Sequence, residues 1–160
     1  MSNFEKNLEQ AINNAKRLTD KILIDGKLIS AQTNNKIPVL NPSTGDNIGS
    51  APQCNKDDVN IAVESAHKAF QKWKKIPARE RGKMVAAGAK RLEERKSEIE
   101  TLLSLDTGNA LRTQAIPETG ASIELTNMFA GLSGELKGEN YPTNIPNSIH
   151  YTTRDPIGVV

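Results

Sequence analysis

Three helical patterns in succession occupy the middle of the chain and most restrict what it can fold into. The first begins at Asn55, a residue type that caps helices, and places Asp58 near the positive helix end. Its apolar residues recur at spacings of three and four and predict one apolar face: Val59, Val63, Ala66, Phe70 and Trp73. Such helices need an apolar surface to pack on.

The second helix is predicted to start at Pro77, which suits a first helical turn, and to end at Gly108 in the left-handed conformation. It is expected to bury Met84, Val85, Leu92, Ile99, Leu102 and Leu103. The third is predicted to start near Pro117 and to end with Gly138 as its cap. Its apolar positions are Leu125, Met128, Phe129, Leu132 and Leu136.

Strand signals precede the helices. In "KILIDGKLIS" two apolar runs flank Asp25 and Gly26, which tolerate positive φ, so we predict a tight β-hairpin. The segment "KIPVLNPSTGDNIGSAP" predicts a second pair of strands around a turn. Residues 1–18 form a polar leader, expected to be loosely docked or frayed, with a weak helical stripe: Phe4, Leu8, Ile12 and Ala15.

Extended structure is predicted after the helices. Apolar and polar residues alternate near the end of 141–154, and the apolar run Ile157–Val160 predicts the start of a buried strand. Strands, a long helical block and another strand together predict a mixed α/β domain. The strands in this chain supply too little apolar surface for three helices, so we expect an incomplete sheet.

Composition excludes several classes of protein. The 160 residues carry a net charge of only +2, which argues little for nucleic acid. No apolar run approaches membrane-spanning length, and the N-terminal segment lacks the apolar stretch of a secretory signal. A lone cysteine, Cys54, rules out an internal disulfide framework. We therefore predict a cytoplasmic protein without nucleic-acid or membrane partners.

Residues of reactive type are few and scattered. Cys54 lies just before the first predicted helix, whose N-terminus could lower the pKa of a thiol, but an ordinary small residue is the preferred interpretation. His67 and His150 have no second ligand at metal-binding spacing. The neighbouring acids Glu93–Glu94 and Asp57–Asp58 point in different directions on a helix and are interpreted as solvated.

Five motifs follow one another along the chain: "NPSTGDNIGSAP", "AFQKWKKIPARERGKMV", "LSLDTGNALR", "FAGLSGELKGENYP" and "YTTRDPIGVV". In this order and spacing they resemble the N-terminal third of the aldehyde dehydrogenase superfamily, from about Ile22 to Val160. "DTGN-LR" and "ELKGE" are most similar to the betaine-aldehyde-like and aromatic-aldehyde-like branches. The resemblance implies an incomplete N-terminal part of that α/β fold: β-hairpins, three helices, oligomerisation strands and the start of a Rossmann-like sheet.

The resemblance also implies domain boundaries. Residues 19–140 would follow the 1–18 leader as the N-terminal part of a cofactor-binding domain. Residues 141–155 would form an oligomerisation arm, and 156–160 the truncated first strand of the dinucleotide-binding sheet. A stand-alone, non-catalytic interaction module derived from the same fold is the alternative.

The implied activity belongs to a longer parent protein. Family members oxidise an aldehyde to a carboxylic acid with NAD or NADP, through a thiohemiacetal on a cysteine. Their catalytic Cys, Glu and Asn would lie beyond Val160, so this chain alone is expected to be inactive, without catalytic or cofactor-binding residues. "GLSGELKG" does not match a dinucleotide motif and follows a helix rather than a strand.

Three secondary roles are carried over by position. The tunnel that admits the aldehyde would be lined by Glu118, Ala121, Ser122 and Leu125, with buried packing as the alternative. A structural monovalent cation would be held by Asp106 and the Leu40 carbonyl, with a helix-end polar cap as the alternative for Asp106. Assembly into a homo-oligomer would use Tyr141, Ile149, Tyr151 and Thr153 of the arm.

Overall fold

A computed structural model describes residues 3–160, without the side chains of residues 3, 4 and 18. The Phe4 position of the leader stripe therefore lies outside the described side chains. The helices are α1 (Asn3–Leu18), α2 (Lys56–Trp73), α3 (Ala78–Glu94), α4 (Lys96–Thr107) and α5 (Ile116–Leu132). The strands are β1 (Lys21–Ile24), β2 (Lys27–Ser30), β3 (Lys36–Leu40), β4 (Asn47–Pro52), β5 (Asn140–Tyr141) and β6 (His150–Tyr151).

The six strands form three separate antiparallel ribbons: β1 with β2, β3 with β4, and β5 with β6. Asp25 and Gly26 both have positive φ, 52° and 72°, so the predicted tight hairpin is confirmed. The second hairpin is also confirmed, and its loop closes through a bond from the Gly45 amide to the Asn41 carbonyl (2.8 Å). The architecture is the predicted mixed α/β fold without a larger sheet in the described residues.

The start of α2 confirms the predicted cap. The Asn55 side chain accepts a bond from the Asp58 amide (2.8 Å), and the Asp58 carboxylate accepts one from the Asn55 amide (3.1 Å). The other Asp58 oxygen accepts a bond from the Gln32 amide (3.0 Å). Asp58 is buried, so its interpretation as a solvated side chain is wrong, whereas Asp57 is exposed as expected. The bond from Gln32 ties the link between the hairpins to the helix.

The prediction of one helix from Pro77 to Gly108 is wrong, because the helix breaks at Arg95. Arg95 has φ −112° and ψ 14°, outside the helical range, and α4 starts at the next residue. No glycine or proline marks this break. It redirects the chain, so that α3 packs on α5 while α4 packs on α1. Gly108 does close α4 at φ 74°, as predicted.

The start of α5 near Pro117 is confirmed, but its predicted end is wrong. A single π-helical turn, Leu111–Ala115, precedes it, and the helix ends at Leu132. Leu136 and Gly138 therefore lie beyond the helix, and Gly138 does not adopt a left-handed φ. A side chain on Gly138 would collide with the carbonyl oxygen of Thr152, so this glycine permits two backbone segments to approach.

Small residues form the buried contacts, and the predicted burial of several large side chains is wrong. Met84 is 53% exposed and Leu92 is 40% exposed. In the part of the chain that the structure describes, no large side chain is fully buried. The buried apolar residues are Ala11, Ile24, Ala89, Ala115, Ile123 and Ala130. The larger side chains stay exposed because the described residues offer no surface to cover them.

The two ends of the chain differ in structure. Of the two alternatives for the leader, docked or frayed, the structure shows the docked one, because α1 packs on α4 with Ala11 completely buried. Residues 156–160 form no strand, since no neighbouring strand in the described residues pairs with them. Gly158 and Val159 instead line a groove of about 850 Å³ along α2.

Candidate functional site

The predicted tunnel residues share one exposed side of α5. Glu118, Ala121, Ser122 and Leu125 follow one another at helical spacing, and all four are exposed. The opposite side of the helix is buried through Thr119, Ile123 and Ala130. Within the described part of the chain these four side chains are not buried, and both the tunnel role and the packing alternative stay predictions.

This side of α5 continues as an apolar surface towards the helix end. Met128, Phe129 and Leu132 are 47–62% exposed, and Leu125 is 50% exposed. The Ser122 hydroxyl donates to the Glu118 carbonyl (2.8 Å), so it is satisfied within the helix. The face can therefore offer apolar contact to a ligand or to another segment, with one carboxylate, Glu118, near its start.

Sequence reasoning missed two features at the start of α5. The π-helical turn Leu111–Ala115 shifts the hydrogen bonds by one residue, so the Ile116 amide bonds to the Leu111 carbonyl. One turn later the Thr119 hydroxyl is buried and has no hydrogen-bond partner in the structure. Neither feature leaves a signal in the sequence "NALRTQAIPETG" beyond the proline near the helix start.

The predicted cation residues lie near the ends of two elements, Asp106 in the last turn of α4 and Leu40 at the end of β3. A side chain on Gly108 would come within 2.8 Å of the Pro42 ring, so the end of α4 contacts the loop after β3. Asp106 lines a cleft of about 420 Å³ between α1, α4 and the second hairpin. Leu40 is exposed at the end of β3 and is not part of that lining.

The Asp106 carboxylate and the Leu40 carbonyl suit an alkali cation, because carboxylate and carbonyl oxygens are the ligands that hard cations prefer. Asp106 is exposed, and its side chain makes no hydrogen bond that replaces such a ligand. Within the described residues, no group of three or more His, Cys, Asp or Glu side chains could hold a metal. A multi-carboxylate or zinc-type centre is therefore not formed by this part of the chain.

The arm residues stand on a short two-stranded ribbon. Asn140 pairs with Tyr151, and Tyr141 pairs with His150. Its base is closed by two bonds, from the Thr152 amide to the Glu139 carbonyl (2.9 Å) and from the Glu139 amide to the Thr152 hydroxyl (3.0 Å). Four residues predicted for oligomerisation are exposed: Tyr141, Ile149, Tyr151 and Thr153.

Two of these residues, on and beside the ribbon, expose most of their side chains. Ile149 and Tyr151 are 77% and 70% exposed, which is unusual for apolar side chains without a partner. The Tyr141 hydroxyl bonds to the Glu139 carboxylate, and this bond raises the pKa of Tyr141. The ribbon pairs with no further strand of the described residues, so its edges are open to another strand.

The residues of reactive type do not form a catalytic pair. Cys54 is exposed between β4 and α2 and is not hydrogen-bonded to a histidine. The His67 ring lies 3.0 Å from the Gln71 amide nitrogen one turn along α2. His150 is exposed on the arm. A thiol nucleophile needs an adjacent base, and among the described residues no histidine is hydrogen-bonded to Cys54.

The glycine-rich segment after α5 does not fit a dinucleotide phosphate. Gly134 packs against the Arg79 side chain, and Gly138 packs against Thr152. The segment also lies at the C-terminal end of α5, where the partial charge of the helix is negative. Phosphate cradles use the opposite end of a helix. The segment at the end of α5 therefore does not have the form of a phosphate-binding turn.

A sequence profile described as the aldehyde dehydrogenase family matches residues 28–160, more than half of the chain. The chain belongs to the aldehyde dehydrogenase family. Among curated relatives of this family member, aldehyde dehydrogenase tropH from Talaromyces stipitatus is 38% identical over 93% of the chain and 29% of the relative. Phenylacetaldehyde dehydrogenase from Pseudomonas fluorescens is 33% identical over 90% of the chain and 30% of the relative.

Solved structures of aldehyde dehydrogenases share the fold. Betaine aldehyde dehydrogenase from Staphylococcus aureus, in complex with NAD+, superimposes with a TM-score of 0.80 and 27% identity. The superposition covers 89% of this chain and 29% of that enzyme. An NAD-dependent benzaldehyde dehydrogenase from Corynebacterium glutamicum gives a TM-score of 0.74 at 28% identity, over 81% of this chain and 28% of that enzyme.

This family member spans less than a third of the length of the relatives that it matches. The predicted resemblance to the family, including its betaine-aldehyde and aromatic-aldehyde members, is confirmed. No helix in the described part of the chain has the length and apolar character to cross a membrane.

Proposed function

We propose that this chain forms the N-terminal part of an NAD(P)-dependent aldehyde dehydrogenase that oxidises an aldehyde to a carboxylic acid. One observation carries the proposal: the family match extends over 28–160 while the chain spans about 29% of a full relative. The exposed apolar faces of α2 and α5 support it, since the rest of such an enzyme would cover them.

The chemistry of the proposed enzyme would be carried by residues outside this chain. Cys54 lacks a base, the histidines lie apart from it, and the glycines after α5 are engaged in packing. We therefore propose that the isolated chain is inactive and binds no NAD(P). The full protein would use NAD or NADP, because members of its family use this cofactor. The Staphylococcus aureus relative was solved in complex with NAD+.

Within the proposed enzyme this chain would supply three secondary parts. The exposed side of α5, with Glu118, Ala121, Ser122 and Leu125, would line the substrate tunnel. Asp106 and the Leu40 carbonyl would contribute oxygens to a structural monovalent cation. The ribbon of β5 and β6 would add to a neighbouring subunit of a homo-oligomer, because both of its edges are open.

A stand-alone interaction module is the second candidate, favoured by the same exposed ribbon. It would assemble through Ile149 and Tyr151 without catalysing a reaction. The two candidates differ in one respect that can be measured directly. The first requires more coding sequence after Val160, and the second requires a stop.

The test combines the reading frame with an activity assay. The chain alone and the protein from the complete reading frame are purified, and NAD(P)H formation is followed with benzaldehyde, phenylacetaldehyde and betaine aldehyde. We expect turnover only with the complete protein. Turnover by the chain alone would refute the proposal that the catalytic groups lie outside it, and a stop codon after Val160 would favour the module.

A further inference from the structure

The first helix is attached to α4 by polar side-chain contacts as well as by the burial of Ala11. On the side of α1 that faces α4, only Ala11 is completely buried among the described side chains. The same stripe carries Asn7 and Asn14, four residues before and three residues after Ala11. The Asn7 amide donates to the Ser97 hydroxyl (2.7 Å), and the Asn14 amide donates to Glu98 Oε1 (2.8 Å).

Glu98 is the residue at which these contacts converge with the helix break. Its side chain is only 9% exposed. Besides the bond from Asn14, its carboxylate accepts two bonds from the Arg95 guanidinium, at 2.9 Å from Nε and 2.6 Å from Nη2. Arg95 is the non-helical residue that separates α3 from α4. The Glu98 carboxylate therefore binds both the docked helix α1, through Asn14, and Arg95, the residue at the break.

We propose that α1 is a latch on the break between α3 and α4, with Glu98 as the positioning residue that couples the two. When α1 is docked, the Asn14 amide and Arg95 Nη2 both donate to Oε1 of the Glu98 carboxylate, while Arg95 Nε donates to Oε2. Release of α1 then loosens the Arg95 side chain. The angle between α3 and α4 is then no longer fixed. Helix α4 packs on α1 and carries Asp106, which lines the cleft between α1, α4 and the second hairpin. The latch therefore sets the position of Asp106 in that cleft.

The geometry favours coupling over two independent contacts. The Arg95 hydrogen bonds orient the buried carboxylate, and an oriented carboxylate is a better acceptor for Asn14 than a mobile one. α1 itself lies outside residues 28–160, the part that matches the family profile. The latch joins α1 to two residues inside that match, Arg95 and Glu98, and it does not depend on the proposed enzyme activity.

The test is a double-mutant cycle read by hydrogen exchange of α1. The protein from its complete reading frame is compared with Asn14→Ala, Arg95→Met and the double variant. We expect Asn14→Ala to speed exchange of the α1 amides on the order of tenfold, because a bond to a buried charge is lost. We expect Arg95→Met, a change outside α1, to speed the same amides as well.

The cycle is decisive because coupling and independence predict different double variants. With coupling, the double variant exchanges clearly slower than the product of the two single effects. The matched control pair is Asn13→Ala with Arg91→Met, since Asn13 is exposed and Arg91 pairs with exposed Glu94. The proposal is overturned if Arg95→Met leaves α1 exchange unchanged or if the two effects simply multiply.

Discussion

At the residue scale, Asp58 shows how one buried carboxylate can serve two elements. It caps α2 through the Asn55 amide and holds the Gln32 amide of the link between the hairpins. Its neighbour Asp57 occupies the same helical turn but is exposed. The cap was predictable from the sequence, because caps follow local rules. The bond to Gln32 was not, because it joins residues 26 positions apart.

Asp58→Ala is expected to destabilise the first turn of α2 by about 1–2 kcal/mol, because the cap and one long-range bond are lost. Hydrogen exchange of the α2 amides measures this loss directly. Asp57→Ala is the matched control, since it removes the same charge near the helix dipole without a buried bond. Equal exchange in the two variants would contradict the role assigned to Asp58.

Glu98 gives a pH prediction at the same scale. The Arg95 hydrogen bonds, followed by the bond from Asn14, hold the pKa of Glu98 below its ordinary value of 4.5, against the opposing effect of burial. A carboxyl with a lowered pKa stabilises the fold above its ordinary value and loses that contribution as the pH falls through the lowered one. The stabilisation is therefore present above pH 4.5 and lost in more acid solution.

The corresponding measurement compares the native protein with Glu98→Gln by thermal unfolding across pH. We expect the difference in Tm to be widest above pH 4.5 and to shrink as the pH falls below it. Glu94→Gln, which removes an exposed ion pair, should change Tm little at any pH. A difference that stayed constant into acid solution would show that the Glu98 charge does not stabilise the fold.

At the scale of elements, α3 and α5 approach through a glycine. A side chain on Gly82 would meet the Ser133 side chain and the Ala130 carbonyl oxygen. Gly88, on the same helix, faces open space. The sequence predicted both helices from their periodicity, but it did not predict which of the two glycines forms the contact.

Gly82→Ala is expected to destabilise the protein by about 1–3 kcal/mol, because the two helices must separate. Gly88→Ala is expected to stabilise it by about 0.5–1 kcal/mol, because alanine favours the helix and meets nothing. Thermal unfolding followed by circular dichroism gives both signs. Gains in Tm for both variants would mean that α3 and α5 do not pack closely at Gly82.

The arm supplies a second prediction at this scale. Gly138→Ala should displace Thr152 and open the base of the β5–β6 ribbon, because no space exists for a Cβ. If the ribbon mediates assembly, light scattering of the complete protein should then show a smaller oligomer. Gly131→Ala is the control, as this glycine faces open space. An unchanged oligomer with Gly138→Ala would argue against the ribbon as the interface.

Element by element, local signals were enough for both hairpins, the Asn55 cap and the Gly108 end. The break at Arg95 escaped prediction because only one residue leaves the helical range, in a sequence without proline or glycine. The sequence left a docked and a frayed leader open, because the choice depends on Asn7 and Asn14 meeting residues of α4. The exposed side of α5 was placed by family resemblance, since periodicity alone cannot distinguish a buried face from an open one.

At the scale of the whole molecule, the chain buries small side chains and exposes large ones. Leu125, Phe129 and Val63 are each at least half exposed, and no large side chain in the described part is fully buried. A core of this kind contributes little of the apolar burial that offsets chain entropy. We therefore expect the chain to need additional surface for a stable fold.

We expect the isolated chain to bind the dye ANS strongly and to melt over a broad temperature range, because its apolar faces are uncovered. The protein from the complete reading frame should bind little ANS and unfold cooperatively. Far-UV and near-UV circular dichroism separate retained helices from lost tertiary packing. A sharp transition without dye binding in the isolated chain would show that its core is already closed.

The groove along α2 gives the protein an optical reporter of its own. Trp73 is the single tryptophan in the sequence, it is 39% exposed, and it lines the groove together with Val159. Indole emission moves to shorter wavelength as its surroundings become drier. The emission wavelength of Trp73 therefore reports, without an added label, whether the groove is occupied or holds water.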